Sequence, residues 1–274
     1  MVSLELEARL DNLLSTAQTE TADIDLFAPI TEREECPICL IPLPLKNKEV
    51  VFEQCCGKLI CQGCTYRHMI TDARKGGLSE TKCAFCCQLS REKNNIKSLK
   101  KLMKNNNPRA FMQMATEYRS GNDGVFQSDT KSLEMLTKAA ELGHADAFTK
   151  NGLCYELGTA VEEDMSKAVA FYELGAKKGS IPAHVVLAEI HKDIQNSEES
   201  NKHLKVAACA GDQASMDALT AYFKDKLLSK EDLTKTLRAF QASQNEMKSK
   251  DRDDARLMEE SHKKGETPPA HLFE

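Results

Sequence analysis

A pattern that returns every 32 to 37 residues constrains this chain more than any other feature. Met114-Ala115-x-x-Tyr118 recurs as Asn151-Gly152-x-x-Tyr155, Leu187-Ala188-x-x-His191 and Leu219-Thr220-x-x-Phe223, at offsets of 37, 36 and 32 residues. A small residue stands four positions ahead of each copy: Ala110, Ala147, Ala183 and Ser215. A second half-pattern follows the first three copies: Ala139-Ala140-x-x-Gly143, Gly175-Ala176-x-x-Gly179 and Ala207-Ala208-x-x-Gly211. Small pairs let two helix backbones approach closely, and the trailing Gly is placed to end a helix in a left-handed cap. Tyr118, Tyr155 and Phe223 supply bulk that one helical hairpin cannot bury alone. Stacking successive hairpins buries it, so the spacing predicts an α-helical solenoid over 108–243. The fourth copy lacks the second half-pattern and ends the array.

The second constraint is cysteine. Nine of the eleven cysteines fall between Cys36 and Cys87. They form three clean pairs, Cys36-x-x-Cys39, Cys61-x-x-Cys64 and Cys83-x-x-Cys86, with Cys55, Cys56 and Cys87 left over. Pairs at this spacing form tight knuckles, and two knuckles close a tetrahedral site of four thiolates. Two metals need eight ligands, so two more come from Cys55, Cys56 or Cys87. Cys154 and Cys209, far outside, read as small apolar residues on helices. A thioredoxin-like redox role needs a βαβ context that the sequence does not show.

The remaining segments read more plainly. Residues 1–33 are acidic, with a short helix capped by Ser3 and an apolar stripe of Leu6, Leu10, Leu13 and Leu14. Residues 34–90 hold the cysteines. Residues 91–107 read as a basic linker helix with Ile96, Leu99 and Met103 on one face, stopped and restarted between Asn105 and Pro108. A last repeat-region helix starts at Ser229 and Asp232, with Leu233, Leu237 and Phe240 as its stripe. Residues 244–274 are highly charged and read as a fraying helix followed by a disordered tail.

Composition narrows the function classes. The net charge is −5, Trp is absent and aromatics are 5%, which argues against a general nucleic-acid binder; only Lys97, Lys100, Lys101 and Lys104 form a basic patch. No apolar run approaches the ~20 residues that span a bilayer, and the acidic start is unlike a signal peptide. The expectation is an intracellular location, cytoplasmic or nuclear, with cysteines held reduced for metal.

Two resemblances add to this reading. The repeats resemble Sel1-like repeats, relatives of tetratricopeptide repeats, most closely in "ADAFTKNGLCYELGTAVEEDMSKAVAFYELGAKKG". The resemblance implies a mainly α protein-binding superhelix with no catalytic residues. The cysteine region, with "CPICLIPLP" and "CGKLICQGC", resembles a RING finger of the all-cysteine type. That resemblance implies two structural zinc ions in interleaved sites. Cys36, Cys39, Cys61 and Cys64 would hold one; Cys55, Cys56, Cys83 and Cys86 would hold the other. Cys87 stands as the alternative ligand, and Gly57 permits the turn that adjacent Cys55 and Cys56 require. Lys58, where many RINGs have histidine, then needs no metal role. The resemblance also implies a surface of Pro37, Ile38 and Leu40 for a ubiquitin-conjugating enzyme (E2). The last knuckle departs from the family: Cys83-Ala84-Phe85-Cys86-Cys87-Gln88 lacks the usual proline and the cation that follows, and Arg91 comes several residues late. Two readings follow, a protein-interaction scaffold or adaptor and a RING-type ubiquitin ligase.

Overall fold

The structure is a computed structural model that describes all residues except 1–3, 32, 46–48, 75–81, 89–95, 123, 268, 270–271 and 273–274. It divides into two compact units, one of residues 1–32 and 99–243, the other of residues 33–98 and 244–274. Ser3 and Arg91 lie outside the described residues.

The first unit is all helix. After α1 (Leu4–Glu20) and α3 (Ile96–Lys104) come three hairpins, α4/α5 (Pro108–Ser120, Asp129–Glu141), α6/α7 (Ala145–Glu156, Met165–Lys177) and α8/α9 (Ile181–Asp193, Ser197–Cys209), then α10 (Gln213–Lys224), which packs on α9, and α11 (Lys230–Glu246). Polar side chains start these helices by taking up orphan amides. Asn107 accepts from the Arg109 and Ala110 amides, Ser128 from Lys131, Asp164 from Lys167, Asn196 from Glu199 and Asp212 from Ser215. Gly143, Gly179 and Gly211 follow α5, α7 and α9 with φ of 84°, 89° and 103°, the left-handed turn expected of them.

The small residues sit where helices meet. Ala110, Ala147 and Ala183 are fully buried. A Cβ on Gly175 would lie 2.9 Å from Thr149 Oγ1 and 3.3 Å from Ala183 Cβ, so α7 packs flush against its neighbours on both sides. Between these contacts Phe148, Phe171 and Tyr172 are buried, and Tyr155 stacks on Phe171 at 5.7 Å. Phe223 is 37% exposed, whereas Tyr155 is buried and Tyr118 and His191 are half-buried.

Three local expectations shift. α1 docks through Leu6, Leu10, Leu13 and Ala17, with Leu14 only partly buried; Arg9 pairs with Glu141 at 2.7 Å and Asp11 with Lys167 at 2.6 Å. In α3 the buried residues are Leu99 and Leu102, and Met103 packs against the core of the helical body, so from Leu99 this segment belongs to that unit and is not a solvated linker. In α11 the stripe runs through Leu233, Thr236, Phe240 and Ser243, while Leu237 faces out. The Ser243 hydroxyl donates to the Ala210 carbonyl, which lets a polar residue take a core position.

The third hairpin buries a histidine cluster. His184 and His203 are 1% exposed, and their Nδ1 atoms lie 3.0 Å apart. His191, which stands where earlier copies have tyrosine, stacks on His203 at 5.5 Å, and Phe27 covers the same ring at 4.9 Å.

The second unit has a hairpin of β1 (Val50–Glu53) and β2 (Lys58–Cys61), antiparallel with Val50 opposite Cys61, then α2 (Gln62–Arg74) and α12 (Lys250–Lys264). α12 is the helix expected at the start of the charged C-terminal stretch, but it is docked and not frayed: it is capped at Ser249 and Gly265, and Arg252, Ala255 and Ser261 are buried. A face built of Arg, Ala and Ser carries no hydrophobic period, so the sequence reads as solvated. Among the described residues, no helix is long and apolar enough to cross a membrane.

Two tests follow. Leu10→Ala removes a fully buried side chain and should cost about 3 kcal/mol, measured by denaturant unfolding; a loss under ~0.5 kcal/mol would mean that α1 does not dock. Burial lowers His184 to about 4; burial, with His184 and His191 nearby, lowers His203 to about 3. Both are neutral when folded, and the unfolded chain binds more protons below the ordinary 6.5. Their contribution is therefore present above 6.5 and lost as pH falls toward 4. His203→Asn should shrink the Tm difference between pH 7 and pH 4.5 by several degrees; an unchanged difference would refute the assignment.

Candidate metal centre

Two knuckles of nearly identical backbone frame the cysteine module. In the first, the Leu40 amide donates to the Cys36 carbonyl at 2.8 Å and the Cys36 amide to Ile41 at 3.0 Å. In the second, the Cys87 amide donates to the Cys83 carbonyl at 3.0 Å and the Cys83 amide to Gln88 at 2.8 Å. Leu40 and Cys87 occupy the same place, with φ of 56° and 57°. This left-handed residue turns the chain back after each second cysteine. It also accounts for Cys87, which is exposed and lies outside both cysteine groups because the knuckle turns it outward.

The third pair starts where β2 runs into α2, so Cys61 ends the strand and Cys64 lies in the first turn of the helix. Cys55 and Cys56 occupy the turn between the strands. Cys56 and Gly57 donate their amides to the Glu53 carbonyl at 3.3 and 2.7 Å, and Gly57 takes φ 72°. That left-handed glycine lets neighbouring cysteines face one centre. Lys58, next in line, is exposed at the start of β2.

These elements bring eight cysteines into two groups. Cys36, Cys39, Cys61 and Cys64 form one; Cys55, Cys56, Cys83 and Cys86 form the other; within each, all sulfurs lie within 4.8 Å of one another. The pairs interleave along the chain. Sulfur separations are 3.8 Å for Cys36–Cys64 and Cys39–Cys61, 3.9 Å for Cys56–Cys83 and 3.4 Å for Cys55–Cys86. A tetrahedral ion bound at about 2.3 Å by four sulfurs sets them about 3.8 Å apart. Each group can therefore hold a metal ion, and the donor set fits it.

Electrostatics differ between the groups. Burial raises the pKa of the Cys61, Cys64, Cys55 and Cys83 thiols, Cys83 to about 11, because it disfavours thiolate. Burial acts on Cys36 too, but amide donors at Cys61, Cys39 and Ile38 outweigh it and bring Cys36 down to about 7. The first group has the Arg252 guanidinium beside it, 3.6 Å from Cys39 Sγ. The second has Glu53, whose carboxylate accepts from Cys55 Sγ at 3.9 Å. Sequence reasoning missed both, since neither residue belongs to a cysteine motif. Of the residues expected to meet a conjugating enzyme, Ile38 is 42% and Leu40 69% exposed, and Pro37 is half-buried. Phe85, the counterpart of Ile38 in the second knuckle, is 44% exposed. Elsewhere, Cys154 is buried with Arg119 Nη2 3.6 Å from its sulfur, and Cys209 is half-buried.

Comparison with known proteins bears on the helical body. No curated protein matches the chain. Among solved structures, it is similar to a Sel1 repeat protein from Oxalobacter formigenes, with 26% identity and a TM-score of 0.49, covering 66% of this chain and 71% of that one. It is also similar to a protective antigen present in uropathogenic Escherichia coli strains, which displays an SLR fold, with 20% identity and a TM-score of 0.47; the match covers 77% of this chain but only 43% of that one. The family model for the Sel1 repeat matches residues 108–144 and 151–180, which hold the first hairpin and most of the second.

Proposed function

We propose that this chain is a zinc-organised protein-interaction scaffold, in which a RING-like module with two structural zinc ions accompanies a Sel1-repeat solenoid that binds proteins. The observation that carries the reading is the sulfur spacing of the two interleaved groups. Four cysteine sulfurs in a tetrahedron suit zinc, or iron with inorganic sulfide. Closed knuckles with all four positions taken by protein favour zinc in a structural role, with no open position for water. The ligands are Cys36, Cys39, Cys61 and Cys64 in site one and Cys55, Cys56, Cys83 and Cys86 in site two. Apart from cysteines, the buried apolar side chains of residues 34–90 among the described residues are Leu43, Ile60 and Tyr66, with Val50, Leu59 and Ala84 partly buried against the cluster. So small a core does not hold a fold, and metal binding supplies the remainder. Reduced cysteines suit an intracellular setting, cytoplasmic or nuclear.

Native mass spectrometry tests the ligand set. The wild type should carry two zinc ions, Cys55→Ser or Cys83→Ser one, and Cys87→Ser two. A single zinc in the wild type would overturn the interleaved assignment, and so would loss of an ion in Cys87→Ser.

One observation favours a second reading, a ubiquitin ligase. Both knuckles present apolar residues to solvent: Ile38 and Leu40 on one, Phe85 on the other. Such residues suit a docking site for a ubiquitin-conjugating enzyme, with substrate on the solenoid. The chain would then act by orienting the thioester and would need no catalytic residue. In an autoubiquitination assay against a panel of conjugating enzymes, this reading expects activity that Ile38→Ala reduces at least tenfold with both zincs retained. Silence with every enzyme leaves the scaffold reading alone standing.

A further inference from the structure

The first turn of α12 lies directly on the third cysteine pair. A Cβ on Gly63, between Cys61 and Cys64, would sit 2.7 Å from the Arg252 nitrogen and 2.8 Å from the Asp251 carbonyl carbon. Only glycine admits this approach. Asp251 also pairs with Arg67 of α2 at 2.5 Å, which fixes the same turn. From there the Arg252 side chain crosses to the first knuckle. Nη1 donates to the carbonyls of Pro42 at 2.7 Å and Met247 at 2.8 Å; Nη2 donates to Ile41 at 3.2 Å and to Cys39 Sγ at 3.6 Å. Arg252 is 6% exposed, and among the described residues its buried Nε has no hydrogen-bond partner.

A guanidinium keeps its charge in proteins, and burying that charge without a counter-charge is strongly destabilising. The three carbonyls it meets are neutral. Among the described residues, the counter-charge that Arg252 meets is the cysteine group, through Cys39 and Cys61, and only as thiolates. Four thiolates around one dication keep a net negative charge, so a loaded site one supplies what Arg252 lacks. The thiolates in turn gain a donor that orients Cys39 and offsets their mutual repulsion, the kind of outer contact that tunes metal affinity.

We infer that metal at site one and docking of α12 are a single coupled event, with Arg252 as the positioning residue that links them. The C-terminal helix is thus a clasp that closes on the loaded site and opens when it empties. This rests on the reading that site one holds zinc. Any state that empties the site then exposes the knuckle face under Gly63 together with the helix, so residues far apart in sequence respond to one ion.

Full-length protein tests it with two readouts: zinc release to a chromogenic chelator, and hydrogen exchange of Lys250–Lys264 amides. Removing zinc from the wild type should speed exchange over that helix at least tenfold. Arg252→Met, which keeps the stem and loses the charge, should release one of the two zincs at least tenfold faster and leave the other unchanged. It should also loosen the helix with both metals bound. Arg252→Lys, which keeps the charge without the fork, should fall between. Wild-type release of both ions from Arg252→Met would overturn the inference, as would a helix that stays protected after zinc removal. Absence of zinc from site one in the wild type would instead overturn the reading on which it rests.

Discussion

Close approach of helix backbones is the constraint on which the helical body depends. A side chain at Gly175 would run into Thr149 of α6 and Ala183 of α8, and one at Gly152 would meet the Tyr172 ring at 2.7 Å. At Gly175 the missing side chain lets Thr149 and Ala183 close in, and at Gly152 it makes room for the Tyr172 ring. Phe148, Phe171 and Tyr172 are buried in the same core. Dispersion between many close atoms then does what no single contact can. The left-handed glycines after α5, α7 and α9 return the chain at the angle that repeats the contact.

How far this was legible in sequence depends on the range of the interaction. The hairpins, their caps and their glycine turns arise within a few residues, and so the pattern from Ala110 to Gly211 announces them. The third hairpin hides more. His191 takes the place of Tyr118 and Tyr155, yet what makes it matter is His203, twelve positions on, and Phe27, which no period connects to it. Two stripes lie one position from where periodicity puts them. Leu102 is more deeply buried than the expected Met103, and Thr236 is buried where Leu237 was expected to be, because docking partners, not periodicity, choose among adjacent positions.

The cysteine module divides in the same way. Each knuckle is local, and its amide bonds span at most five residues. The two groups of four could therefore be written down from spacing and resemblance, and Cys87 could be named as a rival. What the spacing could not decide was which sulfur turns inward. The backbone decides it: Cys87 stands where Leu40 stands, at the left-handed residue of the knuckle, and its side chain leaves the centre. Arg252 and Glu53 could not be found at all. Arg252 acts on cysteines 213 positions away from a helix whose composition reads as solvent-exposed.

That helix shows why a charged segment should not be equated with a loose one. The module has few apolar side chains to bury, and a cysteine core loaded with metal would be closed best by groups that tolerate the charge of its thiolates. An apolar helix laid over thiolates would desolvate anions without compensation. A helix that brings a guanidinium, with carbonyls to take its remaining donors, covers the same surface and balances it. Gly63 then follows from that choice. For the fork to reach Cys39, the backbone of α12 must rest on the third pair itself, and any side chain there would hold the cation off.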